Sequence, residues 1–178
     1  MKKILLPVFL LGTMVMMFIM AQTSALLKTP ASPAGIVSLE FAYDTATTNA
    51  IINAWAPTAT TNKIAAAKIN TYTDFLFLFF YAGFLHLACK AIAVKLKGGF
   101  SRAGHIIANA TLFAGLADVM ENTGILFSLN HLISSTVSFC TVFFSVIKWT
   151  IVFIAVLYLL TSLLALAFCK KRVEPQRY

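Results

Sequence analysis

The sequence predicts an all-α polytopic membrane protein, a four-transmembrane-helix bundle with an extracytoplasmic helical cap. Three observations predict it. The 178-residue chain is 60% hydrophobic and only 11% charged, with a mean hydropathy of +0.85, whereas soluble domains run at about 45–50% apolar and about 25% charged. The apolar residues gather into four runs, each long enough to cross a hydrocarbon core of about 30 Å at roughly 1.5 Å per helical residue. The basic residues, 14 Lys and Arg against 6 acids, flank those runs. That placement belongs to the cytoplasmic margins of membrane spans and excludes nucleic acid as the partner. The partner implied is the lipid bilayer.

The elements follow in order. Lys2 and Lys3 precede an apolar run over 4–20 that ends in Ala21-Gln-Thr-Ser-Ala25. A basic start, an apolar core and small residues also describe a secretory signal peptide. The run continues through Leu27 and is long enough to span, so residues 4–27 are read as a retained first transmembrane helix. Pro7 is tolerated in its first turns. Residues 28–72 are more polar, rich in Thr, Ala and Asn, and carry helix signals rather than linker composition. Ser32-Pro33 reads as an N-cap with proline at the first helical position. A second short helix is expected over 47–55, closed by Pro57. A third begins near Thr61-Asn62 and runs into the next span. Ile36, Val37 and Leu39 should face inward, and Trp55 and Tyr72 suit the membrane–water interface.

The second span is expected over 73–95, dense in phenylalanine. Lys95, Lys97 and Arg102 bracket a Gly98-Gly99 turn. The third span covers 104–130, and the fourth 137–169. The fourth is too long for a perpendicular crossing, so it tilts or projects on the outer side. Residues 170–178, opening with Lys170-Lys-Arg172, form a cytoplasmic tail. Counting basic residues loop by loop puts both termini in the cytoplasm, in a bacterial inner membrane.

Function must live where charge enters the apolar runs. Asp118, Glu121 and Asn122 fall on one face of the third span, by the i, i+3, i+4 spacing. An overlapping stripe of small residues (Ala110, Ala114, Ala117, Gly124) lets another helix approach closely. Asp118 lies roughly 20 Å along the helix from Gly104, in the outer half, and Lys148 in the fourth span reaches a similar depth. Glu40 and Asp74 sit on the same side of the membrane. Ionisable groups at such depth require partners. One reading is an interhelical clasp that sets helix register. The other is an outward-opening pocket lined by Glu40, Asp74, Asp118, Glu121 and Lys148, suited to a cation, a lipid headgroup or a small polar solute.

Other motifs carry less. Cys89, Cys140 and Cys169 show no CxxC spacing and imply neither disulfide framework nor metal site. Asn109-Ala-Thr111 matches a glycosylation sequon but falls inside a span. His86 and His105 lie at different depths and do not share a haem. His86 and Cys89 offer only two ligands, so a polar contact between helices is the expected role. The methionines of the first helix suit adaptable packing. No catalytic motif, cofactor or metal is expected.

Gly35-Ile-Val-Ser-Leu-Glu-Phe-Ala42, Ile51-Ile-Asn-Ala-Trp55, Asp74-Phe-Leu-Phe77 and Ala117-Asp-Val-Met-Glu-Asn122 together resemble blocks of small bacterial four-span integral membrane proteins with the same long first loop. The resemblance spans nearly the whole chain. It implies architecture and a bacterial envelope setting, and no activity. The function expected is a non-enzymatic membrane protein that binds a ligand or partner at its outer face, as an accessory subunit of a larger complex or as a homo-oligomer. The alternatives are a small transporter or channel using the acidic cluster as a cation or proton site, and an intramembrane enzyme.

Overall fold

A computed structural model describes the backbone of residues 2–171 and the side chains of residues 4–168. It contains six helices: α1 (Lys2–Ala25), α2 (Ile36–Glu40), α3 (Thr45–Ala54), α4 (Lys63–Ala93), α5 (Gly98–Leu129) and α6 (Ser135–Lys171). Four of them, α1, α4, α5 and α6, are long and apolar enough to cross a membrane. The bundle is built by α4 on α5 and α5 on α6, while α1 packs chiefly along α4. Most of the tail expected at 170–178 lies outside the described residues.

Small residues set the helix spacing. Gly12 of α1 receives the ring of Phe80, and Gly83 of α4 receives Phe9, so the two helices interlock reciprocally. Ala114 and Ala117 are buried, and a Cβ at Gly124 would collide with the Thr141 hydroxyl of α6. Gly124, at the outer end of the expected small-residue stripe, is therefore a point of close approach by α6. Without a hydrophobic drive between helices in lipid, this close packing is a main source of association.

The segment between α1 and α4 folds into a compact cap. Leu27, Ile51, Ile52 and Trp55 are fully buried there, with Ile36 and Leu39, against Ile125 and Leu129 of α5. Each such side chain contributes about 1.5–3 kcal/mol on leaving water. Ile36 and Leu39 point inward as expected, and Val37 is partly buried. Trp55 departs from expectation: it is not a surface interfacial residue but the centre of the cap core, at 0% exposure. Its indole Nε1 donates to the Leu27 carbonyl at 2.8 Å and to the Ser32 hydroxyl at 3.0 Å. A buried indole finds an acceptor for its N–H, and the turn after α1 supplies two.

Ser32 likewise is no helix N-cap. Its hydroxyl donates to the Leu27 carbonyl at 2.7 Å, and the helix begins four residues later, after Gly35. That glycine has φ 65°, and a Cβ there would press on the Ser24 backbone of α1, so only glycine fits. Helix α3 is capped instead by Asp44, whose Oδ1 accepts the Thr47 N–H at 2.6 Å. That bond favours the ionised form and holds the Asp44 carboxyl below its usual range. Asn62 caps α4 through the Ala65 N–H at 2.9 Å.

Helix α4 starts at Lys63, and the helix expected to begin near Thr61-Asn62 runs on into the second span as one element. Helix α5 starts at Gly98 rather than 104, leaving 94–97 as the turn. It ends with the Leu132 N–H bonded to the Phe127 carbonyl at 2.9 Å and the His131 N–H to Ser128 at 3.0 Å. His131 takes the left-handed position, φ 62°, that closes this type of helix end. Helix α6, at 37 residues, is about 55 Å long and projects past the bilayer core beside the cap. There the Ser138 hydroxyl meets that of Thr48 at 3.0 Å.

Candidate functional site: a buried charge cluster beneath the cap

One stripe of α4 organises the site. Asn70, Asp74, Phe77, Tyr81 and Phe84 recur at i, i+4, i+7, i+11 and i+14, which puts them on one helical face. Opposite them stand Asp118, Glu121 and Asn122 on α5 and Lys148 and Trp149 on α6, while α2 lowers Glu40 from above. Asp74, Asp118, Glu121, Asn122, Lys148 and Glu40 are all buried.

The Lys148 ammonium is the hub. Its Nζ lies 2.8 Å from both oxygens of Glu121, 3.1 Å from Asp118 Oδ1 and 3.7 Å from Glu40 Oε2. It also stands 5.4 Å from the centre of the Trp149 ring. The remaining contacts extend the network. Tyr81 donates its hydroxyl to Asp118 Oδ2 at 2.8 Å. The Asn122 amide donates to Asp74 Oδ2 at 2.9 Å. The Trp149 indole donates to Glu40 Oε2 at 3.2 Å, and the Ser145 hydroxyl donates to the Glu40 backbone carbonyl at 3.2 Å. Glu40 thus ties the cap to α6 through both side chain and backbone.

The six residues singled out in the sequence converge at one level of the bundle. Asp44, on the same side of the membrane, stays apart as the α3 cap. Three further residues belong to the site and were not singled out: Tyr81, Trp149 and Asn70. Their signal was present, since Asn70 and Tyr81 share the helical face of Asp74, and Trp149 adjoins Lys148. The histidines have a separate role. His86 Nδ1 donates to the Ala108 carbonyl at 2.7 Å, a link between α4 and α5.

Beside the cluster lies a cavity of about 490 Å³ between α1, α4 and α6, roofed by α2. That volume falls in the range of about 300–1,000 Å³ usual for small-molecule sites. Its wall is mainly apolar, with Met17, Met20, Phe77, Phe84, Val152 and Val156 along it. Its polar lining gathers chiefly at the cap end, where Glu40, Asn70, Asp74, Asp118 and Lys148 reach it, while Thr13, lower on α1, bonds its hydroxyl to the Phe9 carbonyl. Because α1 and α6 pack little on one another, the cavity opens sideways between them.

Among the described residues no three His, Cys, Asp or Glu side chains are grouped to hold a metal ion. The carboxylates that converge do so on an ammonium, which occupies the place a cation would take. Fold and site define a four-span helical membrane protein with a charge cluster buried beneath a cap. Comparison with protein-family models, with curated proteins and with solved structures finds no match, so the resemblance read from the four sequence blocks rests on those blocks alone.

Proposed function

We propose that this is a non-enzymatic integral membrane protein that binds an amphiphilic ligand in the cavity beneath its cap. The observation that carries the reading is the cavity's division into a long apolar wall and one buried polar end. A ligand with a chain and a small polar head satisfies both parts at once, and the sideways opening between α1 and α6 offers an entry path. The setting proposed is a bacterial inner membrane with both termini cytoplasmic. Its support is the placing of Lys95, Lys97 and Arg102 at the bundle end remote from the cap.

The test is native mass spectrometry of protein extracted directly into lipid nanodiscs. Ala21 lines the cavity with its methyl exposed, so Ala21→Trp fills the space without disturbing a packed core. The wild-type chain should carry one bound small molecule that the variant lacks. Equal retention in both, or none in either, refutes the reading.

A second reading, a cation or proton pathway, is favoured by one feature: the cluster holds four carboxyls and a single ammonium, three of the carboxyls around that ammonium and Asp74 beside them. Fully ionised, they leave a deficit of positive charge that protons or cations must balance. Proteoliposomes with a pH-sensitive dye decide it. Flux carried by the wild type and lost in Asp74→Asn supports transport, and no flux above empty vesicles excludes it.

A further inference from the structure

We infer that the polar end of the cavity recognises a primary ammonium group, so that its occupant is a single-chain aliphatic amine. This rests on the cavity being a ligand site, and specifies which head it selects. The argument is an inventory of donors and acceptors at that end.

Most of the donors are already engaged. The Lys148 ammonium donates to Glu121 at 2.8 Å and to Asp118 at 3.1 Å, and Glu40 completes its ion pairs at 3.7 Å. The Asn122 amide and the Tyr81 hydroxyl are held by Asp74 and Asp118. The Asn70 amide nitrogen is held by the Met20 carbonyl and the Thr23 hydroxyl of α1. Among the described residues the Ser24 hydroxyl, which accepts the Ile36 N–H at 3.3 Å, remains as an uncharged donor at this end, and an anionic head meets no unpaired cation there.

Acceptors, by contrast, are left over. Asn70 is 1% exposed, and its Oδ1 is buried with no hydrogen-bond partner, an arrangement that costs free energy until a donor arrives. Asp74 Oδ1 and Glu40 Oε1 accept no hydrogen bond from the described residues, whereas their sister oxygens do. Asn70, Asp74 and Glu40 all line the same end of the cavity, and Asn70 and Asp74 are one helical turn apart on α4. Three acceptors, two of them carboxylate, match the three N–H donors of a primary ammonium. The aromatic faces of Tyr81, Phe77 and Trp149 nearby add cation–π attraction. The chain of the ligand then runs along the wall from Lys148 towards Val156, about 12 Å of α6.

Charge excludes the alternatives. A carboxylate or phosphate head would enter beside Glu40 and Asp74, with the one nearby cation already surrounded. An alcohol supplies one donor and no charge. A quaternary ammonium supplies charge and no donor.

The experiment reads the thermal shift of the purified protein at fixed micelle concentration, with dodecylamine, dodecanol, dodecanoate and dodecyltrimethylammonium as probes. Dodecylamine should raise Tm, dodecanol and dodecanoate should not, and the quaternary compound should act only at higher concentration. In Asp74→Asn and in Glu40→Gln the amine concentration needed should rise at least about tenfold, the loss of one hydrogen bond to a charged group. Ala21→Trp should abolish the shift. Equal shifts from dodecanol and dodecylamine overturn ammonium recognition and leave the cavity reading intact. So does a bound mass in nanodiscs, lost in Ala21→Trp, with no response to the amine. No bound mass and no shift from any probe overturns both.

Discussion

Replacing Lys148 with methionine keeps the length and the packing of the side chain and removes only its charge. The three carboxylates around Nζ stand at 2.8, 3.1 and 3.7 Å. At an effective dielectric constant of about 20, their gross attractions are about 6, 5 and 4.5 kcal/mol. Desolvation of several kcal/mol per ion offsets much of this, and removing one partner of a buried pair leaves a net loss of about 3–5 kcal/mol. At about 2–4 °C per kcal/mol for a chain of this size, Tm in detergent should fall by roughly 10 °C. The alternative partners of each acid set the order of coupling. Glu121 is 0% exposed and, among the described residues, has no hydrogen-bond donor besides Lys148. Asp118 keeps Tyr81, and Glu40 keeps Trp149. In double-mutant cycles Lys148→Met should therefore couple most strongly to Glu121→Gln, less to Asp118→Asn and least to Glu40→Gln, within about 0.5–3 kcal/mol. The Lys148→Met/Glu121→Gln pair should be more stable than Lys148→Met alone. Additivity throughout, or the largest coupling at Glu40, refutes the ammonium as hub.

Trp55→Ala should cost about 3–5 kcal/mol by emptying the cap core, and Trp55→Phe less; faster amide exchange across 36–56 with the spans unchanged is the readout. Gly124→Leu should separate α5 from α6 and lower Tm by an amount equivalent to about 1–3 kcal/mol, whereas Gly99→Leu, which meets nothing within 4 Å, should pack without a clash. The Asp44 carboxyl, held low by the Thr47 N–H, supports α3 at neutral pH, and that support is lost as pH falls through its folded value. Amide protection factors over 45–54, referred to the intrinsic rate at each pH, should thus fall below about pH 4, and Asp44→Asn, which still caps but cannot titrate, should remove that acid step.

By itself the sequence determined the class, the four spans and the level at which charge is buried. Those are local properties: hydropathy over about 20 residues decides whether a helix can span, and 1.5 Å per residue places Asp118 and Lys148 at a common depth. The start of α4 was legible because Asn62 bonds to its own first turn, whereas Asp44, which does the same for α3, was not singled out and that helix was expected to begin at Thr47. Ser32 misled because its hydroxyl bonds backwards to Leu27, a contact that exists only once the chain folds over Trp55. Trp55 itself fits an interface or a core equally well by composition, and the turn after α1 decided for the core by presenting two acceptors. Sidedness placed Glu40 among the pocket candidates, but tertiary structure alone decided how it joins the cluster, because its partners Ser145 and Lys148 are more than a hundred residues away in the chain. It alone decided that a cavity lies there, since a void arises from how little α1 and α6 pack on one another, and no residue pattern along either helix encodes the absence of a neighbour.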